Sequence, residues 1–439
     1  MRPVLVLALI AVAAVGLVRA SEGPGLRAAN APAEAIDTGR GTLLGALEFK
    51  GPARLVRLRP DTMRPVSPSI RLDENFVADS AVSPDGGRLA VGSETSGRVQ
   101  LVDLRSWRRL RSIELPASLP GRNAGTAVLA WPSPRRLVLL AGATYAERSP
   151  IVVDPVSGRV VHRARWRGIP LHWDARGERT VLLATSRWGR GPRAATLAGY
   201  DSSGRLRKVR LARILAGYGD SGTGPARDLT PALAVDWGTG RAYVISTDGV
   251  LAAEVSLRSW RVSYHRLTEH RTAWGRLRDL VDPPAHAKGE PVHVRTRMAE
   301  MLPNGAIAVT GEDRPPTEPS HLSKPIPFGL RLIDPRSWTV RTVDPEPQDL
   351  SVAGGTMLAR RWSMGNDGLD GIGLRAYDTA GELAWARFEG ADTIVRGAAG
   401  SRAYVEVKRD GRRRIHVIDL ASGRTERTRP WREIRVLER

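Results

Sequence analysis

From Ala81 to Leu115 the chain reads AVSPDGGRLAVGSETSGRVQLVDLRSWRRLRSIEL, four short strand-like runs cut by turns. AVS, RLAVGS, RVQLVDL and RLRSIEL are the runs. Ser83-Pro84-Asp85-Gly86-Gly87 separates the first two, Glu94 to Gly97 the next, and Arg105-Ser106-Trp107 the last. Proline presets φ, aspartate closes a local turn with its carboxylate, and glycine takes the positive-φ position, so SPDGG joins two antiparallel strands. Four antiparallel strands returning along about 35 residues form one blade of a β-propeller.

The outer hairpin of this unit recurs along the chain. Copies run over Ala53–Leu72, Pro150–Trp166, Thr196–Leu211, Leu251–Leu267, Leu330–Asp344, Leu374–Phe388 and Ile415–Trp431, making eight with the first. Aligned, they place Arg57, Asp103, Asp154, Asp201, Ser256, Asp334, Asp378 and Asp419 in one column, with steps of 46, 51, 47, 55, 78, 44 and 41 residues. Most copies follow an inner strand pair with its own turn, such as LHWDARGERTVLLAT or LAVDWGTGRAYVIS. The first unit has only GTLLGALEF before its hairpin, and the alternating C-terminal REIRVLER is placed to supply the missing strand. The fold class expected is all-β, a single propeller of eight four-stranded blades (alternatively seven) over residues 41–439, closed by both chain ends. The stretch SPDGG–RLAVGS–VQLVDL resembles the YVTN and WD-repeat type of blade found in secreted bacterial proteins.

The N-terminus joins Met1-Arg2, an apolar run from Pro3 to Val18, and Val18-Arg19-Ala20 before Ser21. Small residues three and one before the break predict a secretory signal over 1–20, cleaved after Ala20. The run is short for a membrane span, which needs about 20 apolar residues, so no stable membrane insertion is expected after cleavage. An uncleaved N-terminal anchor is the alternative. Residues 21–40, rich in Ala, Pro and Gly, read as a linker. The absence of cysteine excludes disulfides, thiolate metal sites and a cysteine nucleophile.

Lys plus Arg number 67 against 46 Asp plus Glu, a net charge of +21, and all but Lys50, Lys208, Lys288, Lys324 and Lys408 are arginine. Many arginines alternate along the fourth run of each unit, where charge blocks edge-to-edge pairing of sheets. The only tight run is Arg412-Arg413-Arg414, beside the turn at Asp410-Gly411. Nucleic-acid binding is not expected, because an exported chain does not meet it and the basic runs lack interleaved aromatics.

The aspartate column reads as turn chemistry, each carboxylate accepting backbone N–H groups after the third strand. The RSW repeats at Trp107, Trp260 and Trp338 read as packing at blade corners. The eight histidines lack paired metal-ligand spacing, and Asn366 to Gly371 lacks the rhythm of a calcium loop, so no metal or cofactor is expected. AYDTAGELAW (Ala376 to Trp385) resembles the tryptophan-docking repeat of eight-bladed quinoprotein dehydrogenases, in one unit only. A quinoprotein-like dehydrogenase, or a lyase or lactonase propeller, is the enzyme alternative to a non-catalytic scaffold.

In a four-stranded blade the first-to-second and third-to-fourth turns share one face; the second-to-third loops and blade-to-blade connections share the other. Short turns gather on the former and long segments on the latter: Ala143–Ser149, Ser186–Arg193, Ile214–Thr230, Thr268–Pro291, Glu312–Phe328 and Arg361–Gly371. Loops on a rigid scaffold carry binding residues. The expected ligand site therefore comprises Tyr145, Arg148, Trp188, Arg190, Arg193, Trp362 and Asp367, with His286 or His321 from the insertions. The partner expected is an envelope protein or an anionic envelope polymer or small ligand, bound by a monomer.

Overall fold

The computed structural model describes residues 44–48, 53–66, 68–72, 77–93, 96–116, 126–141, 149–163, 169–176, 179–185, 192–200, 205–219, 227–269, 294–314, 326–361, 372–430 and 434–436. The expected signal and linker, 1–40, lie outside them. Every regular element among the described residues is a β-strand, and the strands form a propeller. Six sheets have four strands each, and an eleven-stranded sheet contains two further four-stranded runs. One run starts at Ile169–Arg176 and ends in Leu206–Gly219; the other starts at Val294–Met301 and ends at Thr339–Asp344.

The first strands surround the centre. Val77–Val82 touches Thr126–Ser133, and the contacts continue through Ile169–Arg176, Ala232–Asp236, Val294–Met301, Asp349–Ala353 and Asp392–Ala399 to Ile434–Val436. That last strand pairs antiparallel with Leu44–Glu48, Leu47 facing Arg435, so the C-terminal segment supplies the inner strand of the first sheet as the sequence suggests. Between successive sheets lies an apolar cluster, because alternate residues of a strand face opposite neighbours. Val56, Leu58 and Met63 pack with Ala399, Tyr404, Ile415 and Val417, joining the last sheet to the first and closing the ring.

Asp201 lies outside the described residues and Arg57 falls within a strand; the other column residues sit at the third-to-fourth turns. Asp103 Oδ1 accepts N–H groups of Arg105 at 2.8 Å and Ser106 at 2.7 Å. Asp154, Asp334, Asp378 and Asp419 accept equivalent bonds. The N–H of Arg336 holds the Asp334 carboxyl below its ordinary pKa, and the Ser422 hydroxyl does the same for Asp419. These carboxylates are turn closures. The first unit shifts the alignment by two residues: Arg59, not Arg57, accepts the turn-closing bond, from Met63 N at 2.7 Å. That bond matches Trp260 to Ser256 and Trp338 to Asp334.

The RSW tryptophans close these turns in the left-handed region, with φ of 55° at Trp107, 58° at Trp260 and 59° at Trp338. Each reaches the preceding sheet. Trp107 Nε1 donates to Pro68 O at 2.8 Å, and Trp338 stacks on His265 at 3.9 Å between centroids. Trp260 lies where a Cβ on Gly199 would come within 2.7 Å of its ring, so only glycine fits there.

The arginines of the outer strands do more than carry charge. Arg111 donates to Pro155 O at 2.5 Å, Arg207 to Arg258 O at 3.3 Å and Arg387 to Gly423 O at 3.1 Å. Arg341 donates to Ala380 O, and Arg429 to Thr62 O at 2.8 Å. From the third strand of the first sheet, Arg57 donates to Leu104 O at 2.8 Å. Each bond clips a side chain to the third-to-fourth turn of the next sheet. Lysine, with a shorter reach and no planar fork, is a poorer clip.

The segment expected as a long connection over Ile214–Thr230 is partly strand. Leu206–Gly219 runs past its own sheet, and Gly217–Gly219 pairs antiparallel with Arg227–Leu229. Arg227–Thr230 then pairs parallel with the first strand of the 294–344 unit, Leu229 facing Arg295. This crossing hairpin merges two units into the eleven-stranded sheet. Thr268–Glu269 likewise pairs parallel with Thr339–Val340, and Ile326–Pro327 extends Ile307–Arg314, so both insertions have strand-anchored roots.

Candidate functional site

The strand pairings put the first-to-second and third-to-fourth turns at one end of the propeller, and the second-to-third turns, including the short one at Asp410–Gly411, at the other. The strand ends that flank 142–148, 186–191, 220–226, 315–325 and 362–371 lie at the other, as does Val294 after 270–293, whereas Glu269 before it pairs with Val340 beside a third-to-fourth turn. Of the residues expected to bind ligand, Arg193 is described: it is exposed at this end, opening the strand Arg193–Tyr200 opposite Ala216. Tyr145, Arg148, Trp188, Arg190, Trp362, Asp367, His286 and His321 lie outside the described residues.

At the roots of the two insertions the structure gathers a cluster that was not singled out in the sequence. Arg297, on the first strand of the 294–344 unit, is 1% exposed. Its Nη2 donates to Asp313 Oδ1 at 2.6 Å, and its Nη1 to the carbonyls of Thr296 at 2.9 Å and Glu312 at 3.0 Å. The guanidinium lies over the Phe328 ring at 3.9 Å, and that of Arg331 lies over the same ring at 4.0 Å. Phe328 is seated against Gly249, whose added Cβ would come within 2.7 Å of the ring. Arg295 Nε reaches Asp313 Oδ2 at 3.8 Å, and Arg331 reaches Glu269 at 3.5 Å. Burial lowers the pKa of Arg297 to about 10 against the pull of Asp313, and burial lowers that of Arg331 too.

Below the cluster, Ile169–Arg176 contributes His172 and Asp174. They face Leu183 and Val181 in the register, so both point to the 232–266 unit, while Trp173 packs the opposite way. His172 Nε2 and Asp174 Oδ2 are buried without a hydrogen-bond partner. Burial depresses the His172 pKa to about 4, opposed by a hydrogen bond to the Arg297 backbone. Burial raises Asp174 well above the carboxylate range, Glu300 adding to the effect and the Trp237 indole and Ala175 N–H opposing it.

This arrangement offers guanidinium donors, an imidazole that is neutral at pH 7 and a carboxyl whose burial favours its protonated form. Such a set binds an oxyanion or a polar group. No group of three or more His, Cys, Asp or Glu is placed to hold a metal ion among the described residues. A polar pair at i and i+2 on an inner strand, in LHWD, is the signal that could have located His172 and Asp174. Arg297 and Phe328 have no such signal, being 31 residues apart, one on a strand and the other in the link between Ile326–Pro327 and Leu330–Asp334, and meeting only in the fold.

The His172 environment has a measurable consequence. Its folded pKa lies below the ordinary 6.5, so its contribution to stability is fully present above pH 6.5 and is lost as pH falls toward 4. Asp174 acts in the opposite sense, stabilising at low pH and less so as pH rises above the ordinary carboxylate range. His172→Gln is expected to lose about 3 kcal/mol less than the wild type between pH 7 and pH 4 in urea melts. An imidazole signal that titrates near 6.5 by NMR contradicts this placement.

No protein-family model matches the chain, and no curated protein does. Among solved structures the chain is similar to dihydro-heme d1 dehydrogenase NirN in complex with DHE, with a TM-score of 0.55 and 12% identity over 92% of this chain and 76% of that one. It is also similar to AztD from Citrobacter koseri, with a TM-score of 0.49 and 11% identity over 90% of this chain and 97% of that one. At 12% identity the likeness to the first shows the propeller fold alone.

Proposed function

We propose that this chain is an exported, monomeric propeller of eight blades that binds an anionic envelope ligand and does no chemistry on it. Eight apolar clusters between successive four-stranded units support the blade count. The observation that carries the binding reading is the convergence of Arg295, Arg297 and Arg331 on Asp313 and Phe328 at the roots of both insertions. Two of these guanidinium groups are fixed by a ring, which lowers the entropy lost on binding. The insertions, with Trp188, Arg190 and Arg193, would complete the site by pairing acidic groups and stacking on a ring.

The test is binding to a panel of citrate, sulfated sugars and phosphorylated sugars by calorimetry. Arg295→Ala, and Trp188→Ala with Arg190→Ala, should each weaken the tightest binder by about tenfold without shifting the melting temperature. Silence of these changes, together with loss on Arg336→Ala at the short-turn end, assigns binding to the wrong face. Uptake of pyrroloquinoline quinone seen by absorbance would favour the enzyme reading. An N-terminus beginning at Ser21 in the exported product supports maturation after Ala20, and an intact Met1 in a membrane fraction supports the anchor.

A further inference from the structure

The one tight basic run falls on a hairpin of the last sheet, well away in sequence from the cluster above. Strands Arg402–Arg409 and Arg412–Asp419 turn at Asp410 and Gly411, whose φ values of 51° and 72° are those of a tight two-residue hairpin. The register sets Lys408 opposite Arg413 and Arg409 opposite Arg412, while the next strand sets Pro430 opposite Arg414. Like charges directly across a ladder repel, so this tip is held together against its own electrostatics. Buried Ile415, Val405 and Val407 anchor it from below.

A cleft of about 480 Å³ opens there, lined by Arg412, Arg413, Arg414, Thr428, Arg429 and Pro430. Its volume lies in the range of small-ligand sites, roughly 300–1,000 Å³. Existing partners account for part of the charge. Arg413 reaches Glu406 at 3.5 Å, but Arg396 already holds that carboxylate at 2.6 Å. Arg429 gives its Nε to Thr62 O at 2.8 Å, which fixes the side chain in the cleft wall. Arg412 and Arg414 are exposed and have no carboxylate partner among the described residues.

We propose that this cleft binds a ligand carrying clustered phosphate groups. Guanidinium forks match phosphate oxygens in pairs of parallel hydrogen bonds, and several forks around one concavity match several phosphates. Among the described residues no carboxylate lines the cleft to oppose an anion, and no aromatic ring lines it to stack on a base. The phosphates can come from a soluble chain or from lipid headgroups, and the same recognition serves both.

The experiment measures binding of the full exported chain to three probes: sodium tripolyphosphate by calorimetry, phosphatidylcholine vesicles with 30% phosphatidylglycerol by sedimentation, and a 12-nucleotide single-stranded DNA. Arg412→Ala with Arg414→Ala is compared with Arg424→Ala and Arg427→Ala, which removes the same charge from exposed positions elsewhere in the same sheet. The expected result is binding of tripolyphosphate, vesicles or both, at least tenfold weaker in the cleft variant and within twofold of wild type in the control. Tripolyphosphate alone identifies a soluble source, and vesicles alone a headgroup. Equal losses in both variants reduce the effect to net charge and overturn the proposal, as does failure of all three probes. DNA binding tighter than tripolyphosphate, lost in the cleft variant, replaces it with a nucleic-acid site. Arg295→Ala should leave tripolyphosphate binding unchanged, so this result stands or falls separately from the insertion site.

Discussion

Truncation after Pro430 is expected to lower the melting temperature by about 10 °C and to make the protein prone to association. The removed strand Ile434–Val436 is the inner member of the first sheet, pairing Ile434 with Glu48, Arg435 with Leu47 and Val436 with Ala46. Without it Leu44–Glu48 presents an unpaired edge at the centre of the ring, where its N–H and C=O groups have no replacement partner. The apolar cluster that joins Val56 and Leu58 to Tyr404 and Val417 remains, but loses the neighbouring ladder that aligns it. Differential scanning calorimetry with light scattering measures both effects. A truncated chain that melts within 2 °C of the full chain would show that the apolar cluster alone closes the ring.

Arg297→Ala is expected to cost about 3–5 kcal/mol in urea denaturation, the cost of breaking a buried ion pair and leaving a void. The change removes the 2.6 Å bond to Asp313, two bonds to backbone carbonyls and one face of the Phe328 stack. Arg297→Lys should recover less than half, because an ammonium cannot lie flat on the ring and serve three acceptors together. Full recovery by lysine would reduce the site to a point charge. Since Arg295 and Arg331 remain, the Lys variant should keep measurable affinity for the tightest anion of the panel.

Much of the architecture is legible in the sequence because it is written in local chemistry. SPDGG is seen as a turn with Asp85 Oδ1 accepting Gly87 N at 3.1 Å, and the aspartate column closes turns with the bonds its spacing implies. The closing strand is legible for the same reason, as an alternating tail beside a first unit one strand short. What is not legible depends on partners distant in the chain. The outer arginines read as solvated charge, yet Arg429 meets Thr62 across 367 residues. The Arg57 column position was two residues early, since the long RPDTM turn hides which residue accepts the closing bond until Met63 is placed. The crossing hairpin is not legible because Arg227–Thr230 pairs with a strand beyond an intervening sheet. The Arg297 site was hidden because nothing local distinguishes VRTRMAEM from the other arginine-bearing strands.

The shared first sheet also orders events in time. Units between Val77 and Pro430 draw their strands from contiguous sequence, apart from the crossing hairpin and Thr268–Glu269, and each can form as it leaves the ribosome. The sheet that begins at Leu44 cannot. It waits for Ile434, nearly the whole length of the chain later, with its inner edge open throughout. The first sheet begun is therefore the last to be completed, and a holdase that shields an exposed strand would have most to do near residue 44. Pauses in synthesis late in the chain lengthen that window, whereas pauses in the middle merely delay units that are already self-sufficient.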